Sequence, residues 1–123
     1  MKPYEFEQLV CDHYRQKGYR VQTTSASNDY GIDVFAEKKG EKIAVQVKMY
    51  GGSTRKVNRQ TMMELYGAAA YFDCTKAVLA TDGEVLTDAK EVAHKLGIDI
   101  LFIQPDRKIS MPSASSAEWS LAD

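Results

Sequence analysis

The sequence predicts an α/β domain in which a mixed β-sheet is flanked by helices, with elements in the order αβββαβαβ. Three observations lead there. An opening stretch of helical period is followed by three stretches of period two. Two short aliphatic runs, residues 76–81 and 98–103, each follow a stretch of helical spacing, the alternation that builds parallel strands joined by right-handed helical crossovers. The 123 residues also suffice for a single core that hides roughly two-thirds of the unfolded chain's surface.

Residues 3–17 place Phe6, Leu9, Val10 and Tyr14 at helical spacing, with Pro3 in the first turn and Gly18 as the stop. Residues 19–23 alternate Tyr19, Val21 and Thr23 with Arg20 and Gln22, as a half-buried strand does. A polar loop follows over residues 25–28, and Asp29 reads as an Asx-turn residue in preference to a metal ligand. Residues 31–37 and 42–49 form two more strands around Lys38-Lys39-Gly40-Glu41, where Gly40 supplies the positive φ of a tight hairpin.

Val57, Met62, Leu65, Ala68, Ala69 and Phe72 recur at helical spacing over residues 57–72, and three consecutive alanines predict close packing on the sheet. Residues 76–81, KAVLAT, read as a strand buried on both faces. Thr87 is expected to cap a helix that runs to Leu96 and stops at Gly97. Residues 98–103 close the sheet, giving a domain over residues 1–104. Residues 105–123, rich in Ser, Pro and Ala, read as a polar tail or linker.

Composition narrows the function classes. With 44% hydrophobic and 27% charged residues the chain has the make-up of an ordinary globular domain, which removes disordered, collagen-like and coiled-coil readings. Sixteen basic against seventeen acidic residues leave a net charge of -1, so any nucleic-acid role must rest on local patches. Cys11 and Cys74 lack the spacing of a zinc site or a disulfide scaffold and read as reduced packing residues. His13 and His94 lack ligand-spaced partners and read as packing or surface residues. No apolar run approaches membrane-spanning length, and Glu5 and Glu7 occupy the place of a signal peptide's apolar region. The expectation is a cytoplasmic domain with no membrane partner.

The hairpin carries the chemistry. With its turn centred on Lys39 and Gly40, Glu37 faces Lys42, Phe35 faces Ala44 and Asp33 faces Gln46. Ile32, Val34, Ala36, Ile43, Val45 and Val47 then share one aliphatic, core-facing side, leaving Asp33, Gln46 and Lys48 on the other. Such residues have two readings. One is a solvated ion pair, contributing only ~0–1 kcal/mol. The other is functional: carboxylate, amide oxygen and ammonium together hold a hard divalent cation beside a phosphodiester. Gly31 and Tyr50-Gly51-Gly52 bracket the group and leave room for a ligand backbone.

Phe6-Glu7, Gly31-Ile32-Asp33, Gln46-Val47-Lys48 with Tyr50, Glu64-Leu65-Tyr66-Gly67-Ala68, Thr87-Asp88-Ala89 and Leu96-Gly97-Ile98 closely resemble the Mrr-type restriction endonuclease catalytic domain of the PD-(D/E)xK nuclease superfamily. The resemblance runs in unbroken order from Pro3 to Ile103 and implies a restriction-endonuclease-like core. It further implies a Mg²⁺-dependent endodeoxyribonuclease, with Mn²⁺ as a substitute ion. Restriction of foreign DNA or DNA processing in a prokaryotic or phage setting is the implied role.

Within the resemblance, Asp33 is the metal-binding aspartate and Lys48 the lysine of the final motif. Gln46 stands where Glu or Asp stands elsewhere in the superfamily, Val47 offers a backbone carbonyl to the metal, and Glu7 is the helix-borne acid; a solvated helix glutamate is its plain alternative. Arg55, Lys56 and Arg59 read as phosphate contacts or as a solvated charge run. Gln60 and Glu64 share a helix face and either orient DNA or water or keep the helix soluble. Tyr50 either stacks on a sugar or base or caps the sheet edge. DNA is the implied partner, with a homodimer if both strands are cut, and with specificity residing in another domain or protein, or nowhere. Two rivals remain: a catalytically silent nucleic-acid-binding module and a structure-selective nuclease of Holliday-junction type.

Overall fold

A computed structural model describes residues 1–24, 30–104 and 106–111. Among these the elements are α1 (Pro3–Gln16), β1 (Arg20–Thr23), β2 (Val34–Lys38), β3 (Glu41–Lys48), α2 (Arg59–Tyr71), β4 (Lys76–Thr81), α3 (Thr87–Leu96), β5 (Asp99–Ile103) and β6 (Ile109–Ser110). The predicted order is observed, extended by β6. That short strand pairs antiparallel with β5 through Phe102↔Ser110 and Ile103↔Ile109, so the sheet reaches into the stretch expected to be tail. The turn role expected of Asp29 lies outside the described residues.

All strands join one sheet in the order β1-β2-β3-β4-β5-β6. Strands β3, β4 and β5 run parallel, and β1, β2 and β6 join antiparallel. The hairpin register is the expected one, with Glu37↔Lys42 and Phe35↔Ala44. Its turn places both Lys39 (φ 49) and Gly40 (φ 84) in the left-handed region, the geometry that matches the twist of the flanking strands.

Each face of the sheet carries its own core. On one face α1 contributes Phe6, Val10, Cys11 and Tyr14 to a cluster with Val34, Ala36, Ile43, Val45, Val78, Ala80 and Leu101. The opposite face carries α2 and α3, which bury Met62, Leu65, Ala69, Ala89 and Ala93 against Ala44, Leu79 and Ile100. Strand β4 is therefore buried on both faces, as its continuous aliphatic run requires. The face carrying Gln46 is thus covered rather than solvated. Helix α2 starts later than expected: Asn58 caps it, its side-chain oxygen accepting the Thr61 N–H at 3.0 Å, while Val57 bridges to Val85. Thr87 is already helical, and the N-cap of α3 is Leu86, without a side-chain bond. Gly97, at φ 72, ends α3 in the left-handed conformation as predicted.

Candidate functional site

The site forms where the β2–β3 ladder breaks down. Val34 faces Val45 within the ladder, yet the Asp33 N–H also donates to the Val45 carbonyl, at 2.9 Å. Two residues of one strand therefore oppose one of the other, the arrangement of a β-bulge. On the outer side Thr24 fixes the same segment, its N–H donating to the Asp33 carbonyl (3.0 Å) and its hydroxyl to the Ile32 carbonyl (2.7 Å).

The bulge corrects two expectations. Ile32 joins the α2–α3 core rather than the α1 core that holds Val34, because the extra residue turns the preceding chain over. Asp33 does not face Gln46 across a regular ladder. Its carboxylate turns into the line of the ladder itself, where Oδ2 accepts the Val47 N–H at 2.7 Å and leaves Oδ1 for another ligand. In a strand the N–H and C=O of one residue point to the same side, so the Val47 carbonyl faces this gap as well.

Gln46 enters from the α2 side and is only 8% exposed. Its Oε1 is buried with no hydrogen-bond partner, an arrangement that proteins rarely leave uncompensated. Its amide occupies the space that a Cβ on Gly31 would need, at 2.9 Å from Nε2. Gly31 thus makes room for Gln46 rather than for a ligand backbone. Glu7 approaches on α1, and its carboxyl is held above its ordinary value by burial and then by the charge of Asp33. Asp33 is itself held above its ordinary value by burial, which outweighs the opposing Val47 hydrogen bond and the Lys48 charge. Two crowded acids short of counter-charge and an unpartnered amide oxygen fit a hard divalent cation. Among the described residues no three His, Cys, Asp or Glu side chains converge, so the oxygen set depends on Gln46 and the Val47 carbonyl as well.

Lys48 and Tyr50 are positioned by the loop after β4, which carries no functional motif of its own. Thr81, fully buried at the end of β4, donates to the Lys48 carbonyl at 2.7 Å and accepts the Gly83 N–H at 3.0 Å. Asp82 accepts the Gly51 N–H at 2.7 Å and fills the space beside Gly51 that was expected to admit a ligand. A Thr-Asp-Gly run after an aliphatic strand reads as an ordinary turn, and only the parallel β3–β4 pairing brings it against Tyr50. The Lys48 Nζ lies 5.9 Å and the Arg55 guanidinium 4.4 Å from the centre of the Tyr50 ring, both within cation–π range.

The remaining basic candidates are held in ion pairs. Lys56 pairs with Glu84 at 3.7 Å and Arg59 with Asp88 at 3.3 Å, both on the surface. Gln60 donates to Glu64 at 3.2 Å.

A family model for the Mrr catalytic domain, described as "Restriction endonuclease", matches residues 1–108. The chain belongs to the Mrr-type restriction endonuclease family. The sheet with its bulged aspartate fits the PD-(D/E)xK nuclease fold of that family. An uncharacterized protein, y4cE, of Sinorhizobium fredii is 34% identical over 98 residues, covering 71% of this chain and 25% of the relative. A UPF0102 protein of Aquifex aeolicus is 39% identical over 49 residues, covering 39% of this chain and 48% of that protein. The chain thus spans between a quarter and a half of the relatives it matches. Among solved structures, the protein of unknown function AF1548 superposes with a TM-score of 0.62 at 20% identity, over 77% of this chain and 55% of the other. An XisH family protein from Nostoc punctiforme gives 0.51 at 18% identity, over 88% of this chain and 98% of its own. These two likenesses concern the fold. No helix of the described residues is long and apolar enough to cross a membrane.

Proposed function

We propose that this Mrr-type domain is a divalent-metal-dependent DNA endonuclease, acting in the cytoplasm in restriction or DNA processing. The observation that carries the reading is the unpartnered, buried Oε1 of Gln46 in the set formed by Asp33, the Val47 carbonyl and Lys48. Asp33 Oδ1, Gln46 Oε1, the Val47 carbonyl and Glu7 would hold Mg²⁺ or Mn²⁺. When bound, such an ion neutralises charge building on a phosphodiester and lowers the pKa of a water ligand.

The chain's own residues do the rest. The Val47 N–H anchors Asp33 Oδ2, fixing the carboxylate before any ligand arrives. Lys48, its carbonyl clamped by Thr81, orients the attacking water and offers a point cation to the charge developing on the phosphate oxygens. Arg55, stacked on Tyr50, can take a neighbouring phosphate. Lys56 and Arg59 can exchange weak surface pairs, worth ~0–1 kcal/mol, for phosphates along the strand. Gln60 adds a polar group on the same helix.

The test is cleavage of supercoiled plasmid, methylated and unmethylated, with Mg²⁺, Mn²⁺ or EDTA. Nicking or linearisation that EDTA, Asp33→Ala and Lys48→Ala each abolish, while circular dichroism stays unchanged, is the expected result. Cleavage retained by either variant refutes the assignment. DNA binding without cleavage under every condition favours the silent module.

A further inference from the structure

Helix α2 turns an apolar face to water as well as to the sheet. Its buried residues Met62, Leu65, Ala68 and Ala69 are interleaved with an exposed set, Met63, Tyr66, Gly67, Ala70 and Tyr71, that also recurs at helical spacing. Between positions 63 and 71 the one exposed residue that carries a charge is Glu64. Tyr30 extends the face from the neighbouring turn, its ring edge to face with that of Tyr71 at 5.2 Å between centres. Of the eight large hydrophobic side chains exposed among the described residues, four lie here: Tyr30, Met63, Tyr66 and Tyr71.

Three properties of this face suit a second copy of the same chain. An isologous interface must be complementary to itself. The exposed set runs from Met63 to Tyr71 with Gly67 at its midpoint, so two α2 helices crossing antiparallel at Gly67 bring Met63 level with Tyr71 of the partner subunit, apolar against apolar at both ends. Gly67 itself lies in the helix interior, where glycine is less favourable than alanine, although a Cβ there would meet nothing within the chain. A bare backbone at the crossing lets two helix axes approach to the short end of the usual range of about 8–10 Å. The charges fit as well. Helix α2 has no acid in its first turn and no base in its last, and the exposed Asp73 follows its C-terminus, where the helix's own dipole disfavours it. In an antiparallel crossing Asp73 comes level with Thr61 of the partner subunit, in the first turn of that helix, where the dipole favours an acid.

The area is of the right order. At ~200 Å² for a tyrosine, Tyr30, Tyr66 and Tyr71, which are 64%, 47% and 68% exposed, leave roughly 350 Å² in water. With Met63, Gly67 and Ala70 the face supplies roughly half of the ~800 Å² that one partner of a standard interface buries. Contiguous apolar patches of a few hundred Å² on a globular domain mark interaction sites.

We propose that two copies of this chain associate through α2, the helices crossing antiparallel at Gly67 on a two-fold axis. The interface stands on α2 and does not depend on the nuclease reading; joined to that reading, it supplies one site for each strand of a duplex.

The experiment is sedimentation equilibrium of the full chain, without DNA, over a concentration series. Wild type is expected to pass from monomer to dimer. Gly67→Leu, whose new side chain points into open space in the monomer, and Tyr66→Glu are each expected to weaken association by about 30-fold or more, as loss of an interface hot spot does, with circular dichroism unchanged. Asp73→Lys is expected to weaken it by about 3- to 30-fold through its two symmetric contacts, although the substitution suits the helix that carries it. Oxidation tests the geometry against wild type, whose free cysteines are the buried Cys11 and the part-buried Cys74. Gly67→Cys is expected to form a disulfide-linked dimer, whereas two copies of Met63→Cys stand about 12 Å apart along the axis and are not. A wild type that stays monomeric at every concentration overturns the proposal, as does a dimer that all three substitutions leave intact. Linking through Met63→Cys in place of Gly67→Cys marks a parallel pair and equally overturns it. Dimerisation as described without plasmid cleavage retains this inference and sinks the nuclease reading. Cleavage by a chain that is monomeric throughout does the reverse.

Discussion

Gly83→Ala tests the loop contact that fixes Lys48 and Tyr50. An ideal Cβ on Gly83 falls 2.7 Å from the Tyr50 Cβ, whereas carbon atoms in ordinary contact stand about 3.5–4.0 Å apart. A gap of about 1 Å must therefore open. The Tyr50 Cβ is bonded to the backbone and cannot swing away, so the chain after β3 must shift as a unit. Overpacking of this kind costs ~1–3 kcal/mol. At about 4 °C per kcal/mol for a domain of this size, Tm should fall by roughly 4–12 °C. Strain from φ does not enter, because Gly83 is outside the left-handed region. Calorimetry of wild type, Gly83→Ala, Tyr50→Gly and the double variant isolates the contact: with the Tyr50 Cβ gone, alanine at position 83 should cost at least ~1 kcal/mol less. An equal loss in both backgrounds, or a Tm shift within error for Gly83→Ala, would show that the loops do not meet as described.

Other consequences are more local. Because burial raises the Asp33 carboxyl above its ordinary value of 3.8, the folded state holds that proton more tightly than the unfolded state. Stability is then lost as pH rises from 3.8 through the raised value, and the loss is complete above it. Asp33→Asn should accordingly melt higher than wild type at neutral pH, with the difference closing in acid; a lower Tm at neutral pH would contradict this. Gly67→Ala, which meets nothing and has no positive φ, should stabilise the chain to urea by ~0.5–1 kcal/mol. Asn58→Ala removes the α2 cap and should destabilise by ~1 kcal/mol in the same assay. Arg59→Ala should leave stability within ~1 kcal/mol yet reduce the slope of log affinity for DNA against log salt by about one; an unchanged slope would remove Arg59 from the interface.

Local chemistry made much of this molecule legible. The helical spacing of Phe6, Val10 and Tyr14, the hairpin turn at Lys39-Gly40 and the aliphatic run in β4 each depend on neighbours within a few residues, and each is found where the periodicity places it. Gln46 and Lys48 lie on β3 and Asp33 just ahead of β2, so the hairpin brings the three near one another, although the bulge decides how Asp33 is turned.

Tertiary structure decided what those rules do not reach. Period two places Ile32 with Val34, but the bulge at Asp33 puts them in different cores, because hydrogen bonds from Thr24 and to Val45 outweigh strand alternation. The β3–β4 pairing brings Thr81, Asp82 and Gly83 against Lys48, Tyr50 and Gly51, more than thirty positions away in the chain. Burial of both sheet faces turned Gln46 from a solvated amide into one with an unanswered oxygen. The sequence by itself determined the order of elements as far as β5 and singled out the candidate residues that the fold gathers. Their burial, partners and charge balance came from packing between segments far apart in the chain, which no local pattern encodes.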